Sequence, residues 1–92
     1  MISSFACRDT AALFAGRRIA RFVQIETAAI RKLQQLNAAA TLSFLAVPPG
    51  NRLERLDGDR AGRYSLRINA RWRICFRFDD GDVTEVEIVD YH

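Results

Sequence analysis

The sequence predicts an α+β domain in which N-terminal helices pack on one face of an antiparallel β-sheet. The hydrophobic spacing is helical in the first half of the chain and alternates in the second half. Turn-forming clusters separate the alternating segments closely enough for antiparallel hairpins. The 92 residues are too few to divide and show no internal repeat or linker, so residues 1–92 are predicted to form one domain.

The first half of the chain accounts for the helices. Residues 2–5 are predicted to form a short strand, after which Asp9 is expected to cap a helix over 10–16. A longer helix is predicted at 24–36, because apolar residues recur there at intervals of three and four. A helical turn at 41–46 follows, and consecutive prolines end it, since proline cannot continue a helix.

The second half of the chain accounts for the sheet. Strands are predicted at 52–56, 63–68, 71–78 and 83–91, joined by segments rich in turn-forming residues. In the third strand, apolar side chains alternate with arginines and a cysteine, so the apolar set is expected to face the helices. That set is Trp72, Ile74, Phe76 and Phe78.

The charge of the chain is unevenly distributed. Thirteen of the fourteen basic residues are arginine, and Lys32 is the remaining one. The segment through Arg77 carries a net charge of +9, whereas the segment from Phe78 onward carries six acids and no base. A guanidinium binds two phosphate oxygens at once, so the bias towards arginine indicates a polyanionic partner such as nucleic acid. An equally open explanation is a GC-rich genome that encodes arginine in place of lysine.

The predicted hairpin of the second and third strands gathers arginines on the sheet face that points away from the helices. Close guanidiniums repel one another unless an anion lies among them, so the face as a whole is interpreted as an anion-binding surface. Any single arginine on it is better explained by a long stem that shields apolar neighbours. The predicted set is Arg63, Arg67, Arg71, Arg73 and Arg77.

The composition excludes several classes of protein. No apolar run approaches the roughly 20 residues that span a bilayer, and the first residues lack the basic start of a secretion signal. Cys7 and Cys75 lie far apart and one histidine is present, so neither a disulfide framework nor a zinc site is predicted. We therefore expect a cytoplasmic protein that uses no metal or other cofactor.

Three segments together resemble the HigB branch of the RelE/ParE toxin superfamily. They are Leu-Asp-Gly-Asp-Arg-Ala-Gly at 56–62, Asn-Ala-Arg-Trp-Arg-Ile-Cys-Phe at 69–76 and Asp-Tyr-His at 90–92, with Ile-Ser-Ser-Phe at 2–5 in front. The resemblance covers the whole chain and implies a microbial-RNase-like fold and the toxin role in a bacterial type II toxin–antitoxin pair. It implies an enzyme that enters the ribosomal A site and cuts messenger RNA there. The implied partner is a HigA-like helix-turn-helix antitoxin, which joins an otherwise monomeric toxin in a hetero-oligomer.

The residues of these segments suit RNA cleavage without a metal. Such cleavage needs a base for the 2′-hydroxyl proton, a cation for the charge on phosphorus and an acid for the leaving 5′-oxygen. The resemblance assigns the phosphate to Arg73 and places proton transfer and substrate orientation in the terminal cluster, where His92 titrates near neutral pH. If the last strand continues to the end, Asp90 and His92 share a face and Tyr91 points away. The predicted catalytic residues, expected to converge on one linkage, are Arg73, Asp90, Tyr91, His92 and Glu54.

Two positions depart from the pattern that the resemblance implies. Several HigB-type relatives carry histidine where this chain has Glu54, and lysine where it has Asp57. Glu54 could still accept a proton, but a carboxyl group with an ordinary pKa of about 4.3 gives little acid catalysis at neutral pH. Asp57 places a negative charge where a cation would help to hold a phosphate. We therefore expect a mild toxin.

The other arginines are predicted to hold ribosomal or messenger RNA. Two alternatives stay open. The ParE branch shares the fold and poisons DNA gyrase by binding, although its members generally lack the Asp-Tyr-His ending, and a non-catalytic relative would only bind RNA or its antitoxin. The predicted RNA-binding residues are Arg52, Arg55, Arg60, Arg63, Arg67, Arg71 and Arg77 in or near the strands, and Arg17, Arg18 and Arg21 on the helices.

Overall fold

The computed structural model describes residues 1–56 and 62–91, in which helices pack on one face of a four-stranded sheet. Three α-helices precede the sheet along the chain. None of the helices in the described part is long and apolar enough to cross a membrane. The helices are α1 (Arg8–Phe14), α2 (Glu26–Ala38) and α3 (Leu42–Leu45), with 3₁₀ turns at Ala20–Ile25 and Pro49–Asn51.

The sheet is antiparallel, and its strands lie side by side in chain order. Each strand therefore pairs with the next one along the chain, as short connections allow. The predicted α+β class, with helices first and an antiparallel meander afterwards, is confirmed. The strands are β1 (Glu54–Arg55), β2 (Arg63–Arg67), β3 (Trp72–Asp79) and β4 (Asp82–Asp90).

The hydrophobic core lies between the helices and the sheet. Helix α2 buries Ala29, Leu33 and Leu36 on one face at the predicted spacing. Phe22, in the first 3₁₀ turn, is fully buried, and its ring meets that of Trp72 edge-on with 5.7 Å between centroids. Trp72 therefore packs against the core, as its place in the alternation predicts. The strand residues buried in this core are Leu66, Ile74, Phe76, Val83, Val86 and Ile88.

The first two helices begin at residues other than the predicted ones. Helix α1 begins at Arg8, so the predicted cap by Asp9 is wrong: Cys7 precedes the helix and occupies the cap position. Asp9 lies inside the first turn, where its carboxylate accepts a hydrogen bond from Arg21 at 3.0 Å. The α-helical part of the second helix begins at Glu26. The apolar spacing that predicts an earlier start continues through the preceding 3₁₀ turn.

The N-terminal segment lies along β4. The strand predicted at 2–5 is reduced to two isolated parallel bridges, which join Ile2 to Val83 and Phe5 to Val86. A backbone hydrogen bond next to each bridge, at 2.7 and 2.9 Å, attaches the segment to the carbonyl groups of β4. The segment therefore covers this edge of the sheet.

The strand β1 is shorter than the strand predicted at 52–56. Arg52 has a φ of 44°, in the left-handed region, so the extended backbone begins only after it. The two residues of β1 pair with Ser65 and Tyr64 of β2. The turn predicted at 57–59 lies outside the described residues.

Candidate functional site

The sheet face opposite the helices carries most of the predicted arginine surface. Arg63 lies directly across from Arg77 in the β2–β3 pairing, and Arg67 lies across from Arg73, so the four side chains share one face. The predicted gathering of arginines on this face is therefore confirmed for four of the five. We call it the outer face, formed by Arg63, Ser65, Arg67, Arg73, Cys75 and Arg77.

Arg73 is buried although it lies on the outer face, with 8% of its surface exposed. Its Nε donates to the hydroxyl of Ser65 at 2.8 Å, and its Nη2 donates to the backbone carbonyl of Arg52 at 2.7 Å. Both acceptors are uncharged, so these bonds fix the guanidinium without neutralising it. A cation held in this way on a strand is suited to stabilise charge on a phosphate.

Glu54 brings a carboxylate to the same part of the outer face. The register places Glu54 across from Ser65, and its Oε2 lies 3.8 Å from Nη2 of Arg73. The Glu54 side chain is 58% exposed, so a substrate in solution can reach it. An accessible proton acceptor beside a fixed cation meets two of the three requirements for cleaving a phosphodiester.

The carboxylate of Glu85 contacts two other arginines of the outer face. Its φ of 53° lies in the left-handed region, and the β3–β4 register shifts opposite it, between Cys75 and Arg77. Such a bulge re-aims a side chain at a local conformational cost. Here the carboxylate of Glu85 accepts from Arg63 at 2.5 Å and lies 3.6 Å from Nη1 of Arg77. Glu85 was not among the predicted site residues, because cross-strand register decides where a bulge falls.

Arg71 does not share the outer face, and this part of the prediction is wrong. Its guanidinium lies 5.4 Å from the centroid of the Trp72 ring, and Trp72 packs towards the helices. Arg71 precedes β3 in a loop where Asn69 Oδ1 accepts from the N–H groups of Arg71 and Trp72, each at 2.8 Å. The alternation of strand residues therefore does not set its direction.

Asp90 binds Arg71. The Nε and Nη2 atoms of Arg71 donate to the two carboxylate oxygens at 2.8 and 2.7 Å. The hydrogen bond to Asp90 and the attraction of its charge raise the pKa of Arg71 above its ordinary value.

The register places Asp90 and Arg73 on opposite faces of the sheet. Asp90 lies across from Trp72, whereas Val89 lies across from Arg73. The expectation that Asp90 converges with Arg73 is therefore wrong for this side chain. Tyr91 follows the last residue of β4 and is 41% exposed. The predicted direction of Tyr91, away from Asp90, depends on the strand continuing past Asp90 and stays a prediction.

Three residues singled out in the sequence lie outside the described residues. They are Asp57, Arg60 and His92. Their predicted roles, and the expectation that His92 shares a face with Asp90, therefore stay predictions.

The other predicted RNA-binding arginines lie away from the outer face. Arg17 and Arg18 are exposed in the segment between α1 and the first 3₁₀ turn, so their predicted place on a helix is wrong. Arg21 is exposed within that 3₁₀ turn. Arg55 lies across from Tyr64, whose ring packs against the core, so Arg55 belongs to the helix side of the sheet.

A groove beside α2 with mixed polar and apolar walls was not predicted. It encloses about 290 Å³, and its lining includes Arg31, Lys32 and Gln35. Burial lowers the pKa of Lys32, and the charge of Arg31 lowers it further. Lys32 donates to the buried side chain of Asn51, which also bonds Gln35. The one feature of the sequence that points to this groove is Lys32, the single lysine of the chain.

The two cysteines lie in different surroundings and form no disulfide. Burial alone raises the pKa of the Cys7 thiol, but hydrogen bonds from Thr10 and Asp9 and the charge of Arg21 lower it more. The pKa of Cys7 is therefore below its ordinary value. Cys75 is fully buried on the outer face. Within residues 1–56 and 62–91, no three histidine, cysteine or acidic side chains are grouped so that they could hold a metal ion.

Known toxins match this sequence. A family model described as the RelE-like toxin of the type II toxin–antitoxin system HigB matches residues 16–92. Toxin HigB-1 of Vibrio cholerae is 47% identical over 57 residues, which are 62% of this chain and 60% of that protein. Endoribonuclease HigB of Proteus vulgaris is 44% identical over 41 residues, which are 45% of either chain. The matching segment therefore spans about half the length of these two curated relatives.

Solved toxin structures share the fold. The complex of YoeB with YefM from Staphylococcus aureus gives a TM-score of 0.61 at 18% identity, covering 100% of this chain and 98% of that one. YafQ from E. coli strain BL21(DE3) gives 0.54 at 13% identity, covering 98% and 91%. Because the family model spans most of the sequence, the chain belongs to the HigB-like family, the RelE-like toxins of type II toxin–antitoxin systems.

Proposed function

We propose that this toxin is an endoribonuclease that cuts messenger RNA in the ribosomal A site without a metal ion. The observation that carries the proposal is the buried guanidinium of Arg73, fixed by two uncharged acceptors and 3.8 Å from an accessible carboxylate. One relative bears the name Endoribonuclease HigB, which supports the same reaction.

The proposed reaction is an in-line attack within the RNA. A base removes the proton of a 2′-hydroxyl, and the 2′-oxygen forms a bond to the neighbouring phosphorus. The bond from phosphorus to the 5′-oxygen breaks, and an acid donates a proton to that oxygen. The products are a 2′,3′-cyclic phosphate and a 5′-hydroxyl. No water, metal or cofactor enters the balance.

The residues take separate roles in this reaction. Arg73 binds the phosphate and stabilises the charge that develops on it. Glu54 accepts the 2′-hydroxyl proton, a role supported by its exposed carboxylate adjacent to Arg73. Tyr91 orients the substrate, and His92 is the proposed acid, because imidazole exchanges protons near neutral pH. Asp90 lies on the other face of the sheet, so its part in the reaction is indirect.

Two kinds of partner follow from this proposal. The exposed or half-buried arginines of the outer face hold RNA phosphates, which gives an affinity that depends on salt. A HigA-like helix-turn-helix antitoxin neutralises the toxin in the bacterial cytoplasm and forms a hetero-oligomer with it. The related fold of YoeB was solved together with YefM, which supports an antitoxin partner.

Replacing Arg73 tests the proposal. In Arg73→Ala, cleavage of messenger RNA on translating ribosomes should fall at least about 100-fold, because the developing charge loses its stabilising cation. The measurement is the rate of appearance of 5′-hydroxyl ends in a purified translation reaction. Arg8→Ala is the matched control, since Arg8 is an exposed arginine of α1 that lies outside the proposed site.

The outcomes separate the proposed function from its alternatives. Circular dichroism must first show that Arg73→Ala is folded; undiminished cleavage by the folded variant would contradict the assignment of Arg73. If the wild-type protein makes no cuts and its expression induces a DNA-damage response before translation stops, gyrase inhibition replaces the proposed function. If it binds ribosomes with a steep salt dependence and makes no cuts, it is a non-catalytic relative.

A further inference from the structure

The end of β4 is attached twice to the loop that precedes β3. Arg71 donates from Nε and Nη2 to the two carboxylate oxygens of Asp90, at 2.8 and 2.7 Å. The backbone N–H of Tyr91 donates to the carbonyl of Arg71 at 2.6 Å. One loop residue therefore holds two consecutive residues, by its side chain and by its main chain.

Arg71 is itself anchored to the core. The side chain of Asn69 accepts hydrogen bonds from the backbone N–H groups of Arg71 and Trp72, both at 2.8 Å, and so fixes the loop. The guanidinium of Arg71 lies 5.4 Å from the Trp72 ring centroid. Trp72 packs edge-on against Phe22, which is fully buried. The attachment of the chain end thus continues into the core.

The position of Asp90 does not suit a proton carrier at the phosphate. Asp90 lies across from Trp72, on the helix side of the sheet, whereas Arg73 lies on the outer face across from Val89. A group that exchanges a proton must come within hydrogen-bond reach of the reacting atom. The carboxylate of Asp90, held by Arg71, instead fixes the backbone from which Tyr91 follows; if the alternation of β4 continues for one more residue, Tyr91 points to the side of Arg73.

We propose that Arg71 and Asp90 form a clamp that positions Tyr91 on the side of the sheet where Arg73 lies. Both are positioning residues: Arg71 does not hold RNA phosphate, and Asp90 does not carry a proton. The catalytic part of this inference rests on the proposed function. The structural part does not, because the clamp holds Tyr91 whether or not RNA is cut.

A double-mutant cycle tests the catalytic part. In Arg71→Ala, in Asp90→Ala and in the double variant, kcat on translating ribosomes should fall by the same factor of about tenfold, because each variant removes the same clamp. If Asp90 is a proton carrier instead, Asp90→Ala loses far more than Arg71→Ala, and the two losses multiply in the double variant. That result would overturn the clamp.

The shape of the pH profile of kcat should not change when a clamp is lost, so it provides a second test. In Asp90→Asn, the residual kcat should keep both limbs of the wild-type pH profile, since the proton-transfer groups are still present. The loss of one limb would identify Asp90 as a proton carrier and refute the proposal. Arg71→Lys should recover part of the activity that Arg71→Ala loses, because an ammonium can still bind the carboxylate at one point.

Hydrogen exchange of the Tyr91 amide tests the structural part without any RNA. Both alanine variants should accelerate this exchange about tenfold relative to the wild type, and Arg8→Ala should not. Unchanged exchange in Arg71→Ala would show that no clamp exists. If the wild-type protein cuts no RNA, the proposed function fails, and the amide exchange still decides whether Arg71 and Asp90 hold the chain end.

Discussion

Arg71 and Arg73 are two residues apart in the sequence but have opposite surroundings. The side chain of Arg71 is 61% exposed and binds a carboxylate through two hydrogen bonds, so its charge is largely compensated. The side chain of Arg73 is 10% exposed, its hydrogen bonds go to a hydroxyl and a carbonyl, and the Glu54 carboxylate lies 3.8 Å away without a hydrogen bond, so its charge is less compensated. The environment of each guanidinium, more than its residue type, therefore indicates whether it can stabilise a phosphate.

The largest effect on the cleavage rate is expected from replacing Glu54, whose carboxylate lies beside Arg73. In Glu54→Gln, cleavage should fall about 100-fold, because an amide cannot accept the 2′-hydroxyl proton. Glu54→His should cleave at least as fast as the wild type, since imidazole has an ordinary pKa of about 6.5 and exchanges protons at neutral pH. The measurement is the single-turnover rate on ribosomes.

The two Glu54 variants control for each other. Both remove the negative charge that lies 3.8 Å from Arg73. At a pH about one unit above 6.5 the imidazole is mostly neutral, so a difference between the variants there reports proton transfer and not electrostatics. Equal rates for Glu54→Gln and the wild type would show that Glu54 is not the base. A rate for Glu54→His above that of the wild type would support the expectation of a mild toxin.

A smaller effect is expected at Ser65, which fixes Arg73. Ser65→Ala removes the acceptor of Arg73 Nε, and a buried donor without its partner costs about 1–3 kcal/mol of unfolding free energy. Cleavage should fall about tenfold, because the guanidinium is held less firmly. The measurements are urea unfolding and the cleavage rate.

The control for Ser65 is Ser43→Ala, at an exposed serine of α3. It should change neither quantity by more than the error of the measurement. If Ser65→Ala lowers stability but leaves the cleavage rate unchanged, precise positioning of Arg73 does not matter for the reaction.

The smallest effect is expected at Arg77, whose side chain is 52% exposed and lies 3.6 Å from Glu85. Arg77→Ala should weaken ribosome binding only a few-fold, because exposed ion pairs and single phosphate contacts contribute little each. The logarithm of the binding constant should become less steep against the logarithm of salt, by about one unit of slope. If Arg77→Ala lowered the cleavage rate more than Ser65→Ala does, side-chain exposure would not distinguish arginines that bind RNA weakly from the one that stabilises the phosphate.

The alternation of β3 could be predicted because it depends on neighbouring residues alone. Ile74 and Phe76 face the helices and Arg73 faces away, as expected. The direction of Arg71 could not be predicted, because it depends on the loop that Asn69 fixes and on a carboxylate from the far end of the chain. The same reason explains the bulge at Glu85, since only the pairing of two strands reveals an extra residue.

The site was predicted in part for a similar reason. The pairing of Glu54 with Arg73 follows from strand order and register, which hairpin spacing indicates. The burial of Arg73 depends on a hydrogen bond to the carbonyl of Arg52. No sequence pattern predicts the left-handed backbone of Arg52 that supplies this carbonyl. The helix start at Arg8 was missed because Asp9 binds Arg21 in preference to capping the helix.

The attachment of residues 2–5 to β4 has a consequence for how this molecule meets other chains. Carbonyl groups of Val83 and Val86 that would otherwise face outward accept from Ser3 and Ala6, so this margin offers no template for a foreign strand there. The opposite margin is β1, which is two residues long. The addition of strands from other chains, which would lead to fibres, is therefore disfavoured at β4 and limited to two residues at β1.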